Sequence, residues 1–496
     1  PTTKLDFAVQ PAASEYQGLV FSHFVVEVQD AFGVRVAGDN TTQVTITLAS
    51  GSGTLSGTLS KIVTSGRAVF DDVTISTAGS KTLTAASVPT TTAPVSTSIS
   101  VANNPATGLE VVRGSLDSSA GEANGSSAAA VLSANGRFAA FESTASDLVA
   151  SDGNGARDIF VRDRIAGTTT RVSVDDNGVE ANGDSFAPSI SADGRFVAFE
   201  SQASNLVTGD SNGVSDVFVH DRETGVTIRV SVDSAGLQAT GSSGAPSLSA
   251  AGNLVAFESA ASDLIGADGN AVQDVFVHDL VTGVTTRVSV DSMGNEANGV
   301  SAAPAISSDG STVAFHSAAN DLVAGDSNAV LDVFVHDLGT GNTSRVSIDS
   351  VAAQGDGTSF SPSLSADGQL VAFASAASNL VTGDSNSTQD IFVHDRGTGN
   401  TTRVSVDYAG SEANGASDLP QLSDDGDRVV FESAATDLVF GDGEGYVDVF
   451  LHLRSTGRTF RLSTAAAGGG GNGASNAPSI SANGLHVAFG SAASDL

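Results

Sequence analysis

PSISADGRFVAFES, from Pro188 to Ser201, sets two short apolar runs on either side of the tight turn Ala-Asp-Gly-Arg. A loop, GDSNGVS, follows from Gly209 to Ser215 and leads into DVFVHD at Asp216–Asp221. The turn Glu-Thr-Gly then opens VTIRVSVD, ending at Asp233. These runs are rich in β-branched and aromatic residues, and the breaks between them hold Gly, Asp and Asn. That pattern reads as four short strands joined by turns. No segment sustains a helical period, so the unit is all-β.

Outward from this stretch the chain repeats itself. Phe141, Phe199, Phe257, Phe315, Phe373, Phe431 and Phe489 stand 58 residues apart. The same step separates Arg113, Arg171, Arg229, Arg287, Arg345, Arg403 and Arg461. A period this constant means one structural unit copied, and a four-stranded unit copied six or seven times is a β-propeller pattern. The Ser-x-Asp-Gly turn, the Val-Ala-Phe strand and the Asp-Val-Phe-Val strand resemble the propeller repeat of the bacterial TolB family over residues 108–496. This resemblance implies fold more than function. The chain departs from the family pattern in the long insert QASNLVTGDSNGVS between second and third strands.

The first two strands of the unit occur seven times, the fourth seven times and the third six times. We expect seven blades, the last assembled from the strand near Arg113 and the pair near Phe489; six blades is the alternative. The seventh would still lack a third strand, and the expectation is that the natural chain runs on past Leu496. Residues 1–103 carry strands without the repeat, such as QVTITLAS and KTLTAAS. The V-x-V-x-D-x-x-G run at Val26–Gly33 resembles bacterial Ig-like domains, which implies a β-sandwich of about seven strands. Residues 104–108 are expected to link it to the propeller at 109–496.

Composition narrows the chemistry. With 56 acidic against 22 basic residues and a net charge of −34, the chain offers no basic surface for nucleic acid or anionic lipid. It has no cysteine, which removes disulfides, thiolate metal sites and a cysteine nucleophile. No apolar run is long enough to span a bilayer.

The acidic loop is the candidate site. Asp152, Asn154 and Asp158 share a spacing with Asp210, Asn212 and Asp216; Asp268, Asn270 and Asp274; Asp326, Asn328 and Asp332; and Asp384, Asn386 and Asp390. In the sixth copy Glu444 replaces the asparagine between Asp442 and Asp448. Calcium takes six to eight oxygen ligands, and the loops resemble the calcium loops of integrin-type propellers, two residues shorter. Alternatively, the same residues form Asx-turns without an ion. We expect structural Ca²⁺, about one per complete blade. Asp147, Asn205, Asp263, Asp321, Asn379, Asp437 and Asp495 precede the loops as further ligands or as plain turn residues.

The periodic His220, His278, His336, His394 and His452 sit on different blades, so they are expected to pack or bond to a neighbour rather than share a metal. The fourth-strand arginines are expected to pair with carboxylates such as Asp221. No nucleophile elbow or unique Ser/His/Asp set is present, and nearly every carboxylate has equivalents. The expected protein is therefore a secreted or cell-surface scaffold for adhesion or assembly, without catalysis. It would meet copies of itself or a surface polymer, glycan or protein, with no membrane insertion. The alternative is a polymer-binding module of an extracellular hydrolase, or a propeller enzyme with its site in the central channel.

Overall fold

In the computed structural model the chain forms two compact units, residues 1–110 and 111–496. The structure describes residues 4–496 apart from 12–13, 17–23, 71–72, 89–93, 95, 97, 103–110, 267, 408–409, 441, 444 and 466–468. The expected linker at 104–108 lies outside the described residues.

The described residues of the first unit form two main β-sheets and a two-stranded ladder of Leu55–Ser56 and Thr74–Ile75. Phe24–Gln29 is the middle strand of three, between Lys4–Val9 and Arg67–Phe70. A five-stranded sheet is centred on Gly79–Val88, with Gln43–Ser50 on one side and Ile99–Ala102 on the other. Phe7, Phe24, Val26 and Phe70 from one sheet meet Val44, Ile46, Leu83 and Ile99 from the other in a single buried cluster. The V-x-V-x-D-x-x-G run works as strand then turn: Val26 and Val28 point into this core, and Asp30 Oδ1 accepts the N–H groups of Phe32 and Val34. Gly33 takes φ +84°, which closes the turn.

The second unit contains six four-stranded antiparallel sheets and a seventh of two strands, each in simple sequence order. In the second sheet the strands are Ser185–Ile190, Phe196–Ser201, Asp216–Asp221 and Val226–Arg229. First strands of successive sheets touch one another, so they form the innermost layer. The hairpin turns between first and second strands are tied in a closed circle of backbone hydrogen bonds. Ala134 donates to Ala192, Ala192 to Ala250, Ala250 to Ser308, Asp309 to Ala366, Ala366 to Asp424, Asp424 to Ala482, and Asn483 back to Ala134. The sheets are therefore arranged radially around a ring, which is propeller architecture.

Neighbouring sheets are held by one apolar device. Phe199 and Phe218 stack with centroids 5.9 Å apart, and both are fully buried against Ile159 and Val161 of the preceding sheet. On the other face, Val217 and Val219 meet Val255 and Phe257 of the following sheet. Alternation along the third strand thus serves two interfaces at once. Every first strand carries a bulge whose central residue, Ala187 in the second sheet, has positive φ. Its N–H donates to Glu142 of the preceding sheet, and Ala303 and Ala477 use Glu258 and Glu432 in the same way. Where Ala374 replaces that glutamate, Leu419 donates to Asp418 instead.

The seventh sheet departs from expectation. It consists of Ser475–Ile480 and Val487–Ser491, and the described residues near Arg113 form no strand beyond the bridge Leu116–Glu122. Elsewhere a fourth strand pairs only with its third. Among the described residues no third strand pairs with Val487–Ser491, yet the segment after Arg113 keeps the contacts of its repeat: Arg113 pairs with Glu122, and the Leu116 carbonyl accepts from Thr169.

Candidate functional site

The second-to-third loop and the loop into the next sheet share one rim, and the register of the sheet decides what meets there. Arg171 lies opposite Phe160, which puts its side chain on the same face as Asp158, two residues away. Arg171 Nη1 stands 3.4 Å from Asp152, 3.2 Å from Asp158 and 2.9 Å from Glu180. The two aspartates are almost wholly buried.

The cluster recurs with one varied member. Arg287 meets Asp268, Asp274 and Glu296, and Arg403 meets Asp384, Asp390 and Glu412. In two other sheets glutamine stands in place of the glutamate. Gln238 donates to Asp210 and Asp216 beside Arg229, and Gln354 donates to Asp326 beside Arg345. In the sixth sheet Arg461 meets Asp442 and Asp448, and Gly470 takes the varied position. The expected partnership of these arginines with residues like Asp221 is corrected. Asp221 lies three residues from Phe218, on the opposite face of its strand, and pairs with Arg195 in two 2.7–2.8 Å bonds.

The aspartates of each loop converge on an arginine guanidinium, whereas the asparagines are turned away from it. Asn154 Nδ2 donates to Asp158 Oδ2 and to the Ala181 carbonyl, both at 2.9 Å, while its Oδ1 accepts from the Ala156 N–H. Only an amide nitrogen can face a backbone carbonyl, so the oxygen is committed to an Asx-turn. Asn212, Asn270, Asn328 and Asn386 repeat this arrangement. Glu444 lies outside the described residues. Asp147, Asn205, Asp263, Asp321, Asn379, Asp437 and Asp495 accept a backbone N–H from the neighbouring loop, the turn role.

The motif RVSVD can now be read residue by residue. Arg171 enters the cluster, Val172 enters the inter-sheet core, and Ser173 donates to Asp158 Oδ1 at 2.5 Å while accepting the Ile159 N–H. The Val174 carbonyl accepts from Thr227 of the next sheet, and Asp175 caps its own turn. Thr227 spends its only proton on Val174, so His220 Nδ1 must carry the hydrogen in the 2.9 Å His–Thr bond. His278, His336, His394 and His452 make the same bond to threonine. Arg162, in their place in the first sheet, reaches Asp117 O and Thr169 directly.

Charge is unevenly matched on this rim. Burial, and then the Asp390 charge, hold Asp384 above the usual carboxylate range, with Arg403 opposing and Glu412 adding to the rise. Burial also raises Asp390, Asp274, Asp152, Asp210 and Asp326. Asp268 Oδ1 is buried without a hydrogen bond. Carboxylate oxygens of Asp384, Asp390 and Glu412 all lie within 4.8 Å of one another. The varied position, Glu180, Gln238, Glu296, Gln354 and Glu412, was missed as a cluster member at the level of sequence. Its signal was the 58-residue period itself, inside the loop written GSEANG at 410–415, where Glu412 stands.

No family profile matches the chain, and no curated protein is similar to it. Among solved structures it is similar to an oligogalacturonate lyase in complex with manganese, at 15% identity over 72% of this chain and 84% of that one, with TM-score 0.45. A structure described as TolB from Agrobacterium tumefaciens matches at 15% identity over 56% of this chain and 80% of that one, TM-score 0.35. A prolyl oligopeptidase B from Galerina marginata matches at 13% identity over 68% and 42%, TM-score 0.41.

Proposed function

We propose that the protein is a non-catalytic scaffold working outside the cell or on its surface, an Ig-like sandwich joined to a seven-bladed propeller with a calcium-stiffened rim. It serves adhesion or assembly, through copies of itself or a surface polymer, glycan or protein. The observation that carries this reading is the excess of carboxylate in the glutamate-bearing clusters, where three acids face one guanidinium. Two of the three acids are buried, and like charge held there is costly unless a cation offsets it. The part-buried Glu412 and Glu296 are held below the usual range by hydrogen bonds from Ser385 and from the Gly269 N–H.

The donor set fits a hard cation in part. Asp384, Asp390 and Glu412 offer only oxygen, and the sets Asp152, Asp158, Glu180 and Asp268, Asp274, Glu296 are equivalent. Under this reading the asparagines shape the loop and the acids hold the ion, which adds the positive charge that one arginine does not supply. Extracellular modules bind Ca²⁺ at about 10⁻⁴–10⁻³ M, so each site adds about 0.4–1.4 kcal/mol at about 1 mM free ion. That is enough to stiffen loops on a face suited to binding. Thermal melting in chelator and then in millimolar Ca²⁺ tests the proposal. A rise in melting temperature specific to calcium over magnesium supports it, and superimposable curves refute it.

A further inference from the structure

Between the second and third sheets a notch of about 80 Å³ is lined by Glu200, Ser242, Ser243, Gly244, Glu258 and Gln273. Ser242 is exposed, so the notch communicates with solvent. The preceding interface, between the first and second sheets, shows how this space is filled when the chain supplies its own contents. There Arg157 donates to Glu142 Oε1 at 2.9 Å, and its guanidinium lies over the Phe186 ring, 5.1 Å from the centroid. Glu142 Oε2 accepts the Ala187 N–H beside that ring.

One repeat later the acid stays and its partners go. Glu200 takes the place of Glu142, Ser215 that of Arg157 and Gly244 that of Phe186. Among the six copies of the Arg157 and Phe186 positions, Ser215 and Gly244 are the smallest pair. A Cβ on Gly244 would stand 2.3 Å from Glu200 Oε2, so the carboxylate reaches into the place a side chain would take. Gly244 also pairs across its sheet with Glu258, which sets a second carboxylate beside the same space. Burial holds Glu200 above the usual carboxylate range, against hydrogen bonds from Ser215 and the Ala245 N–H, and the Glu258 and Glu142 charges add to the rise. Glu142 has a guanidinium to answer its charge, whereas no arginine or lysine pairs with Glu200 or Glu258 among the described residues.

We infer that the notch between Glu200 and Glu258 holds a guanidinium group, the arginine side chain of a partner polypeptide. The ligand restores what Arg157 supplies one interface earlier: positive charge against the glutamate and a flat group beside the strand. A guanidinium fork meets a carboxylate through two parallel bonds and is weakly hydrated, so it sheds water readily. A lysine ammonium is compact and strongly hydrated, and it leaves the volume of the Phe186 ring unfilled. This extends the binding role proposed above to one partner chemistry, on residues outside the rim clusters, so it stands or falls without calcium.

The test follows backbone amide NMR shifts of the full chain as a Gly-Arg-Gly peptide is added, in chelator and again in millimolar Ca²⁺. Saturable shifts at Gly244 and Ala245 are expected, the same in both conditions. Gly-Lys-Gly, and a peptide with neutral citrulline in place of arginine, should bind about tenfold more weakly or worse. Glu200→Gln should weaken the arginine peptide by a similar factor. Ser215→Arg/Gly244→Phe, which rebuilds the filled interface, should abolish binding. Equal affinity for the lysine peptide, no loss in Glu200→Gln, or displacement by calcium overturns the inference. So does binding of N-acetyl-arginine amide without binding of the peptide, since that makes a free small molecule the occupant.

Discussion

The fifth and fourth sheets carry the same strands and the same arginine, yet their rims differ by one charge. Arg403 faces Asp384, Asp390 and Glu412, while Arg345 faces Asp326 and Asp332 with Gln354 donating into the cluster. The amide supplies a hydrogen where the carboxylate supplies another negative charge. Charge balance on this rim is therefore set by one part-buried residue, without altering the fold beneath it.

The largest effect should come from deleting the arginines. Arg345→Ala and Arg403→Ala each leave buried carboxylates unpaired, at a cost of about 3–5 kcal/mol. Urea unfolding in chelator should show the greater loss for Arg403→Ala, where three acids remain. Equal losses would break the comparison.

Acid provides a control, because the histidines are alike in both sheets. Burial depresses His220, His278, His336 and His394, and pushes His452 down to about 4. Unfolded histidines take up protons below about pH 6.5, when the folded ones do not. The unfolded state then binds more protons, so stability should fall as pH drops from about 6.5 toward 4. The raised rim aspartates act in the opposite sense, gaining protons first in the folded state. Melting temperature against pH should decline over this window in wild type and Glu412→Gln alike.

Smaller effects sharpen the comparison at single sites. Glu412→Gln should remove one calcium increment of about 0.4–1.4 kcal/mol, and Gln354→Glu should add one. Differential melting with and without Ca²⁺ reads both. In the same Glu412→Gln chain, loss of the Glu412 charge should lower the Asp384 titration midpoint, measurable by carboxyl carbon NMR.

Fold and site were legible to different depths. Phe199 and Arg229 revealed the repeat because an interface copied around a ring demands the same side chain at each step. The partner of Arg229 was not legible from spacing. Asp216 and Asp221 flank Phe218 on one strand, and only the face alternation set by the register separates them. Asn212 was ambiguous for a chemical reason: an amide offers donor and acceptor on one group, and the Ala239 carbonyl across the rim decides which is used. Among the described residues the seventh sheet has two strands. Near Arg113 the described residues form no fourth strand, because a fourth strand pairs with a third, and among these residues none pairs with Val487–Ser491.

The most direct test compares wild type with Glu180→Gln/Glu296→Gln/Glu412→Gln in melting scans, first in chelator and then in 1 mM Ca²⁺ (about the free concentration outside cells). The account predicts a calcium-dependent rise in wild type that is lost in the triple variant, with both chains still folded. A wild-type curve indifferent to calcium, or a triple variant that keeps the full rise, would contradict it.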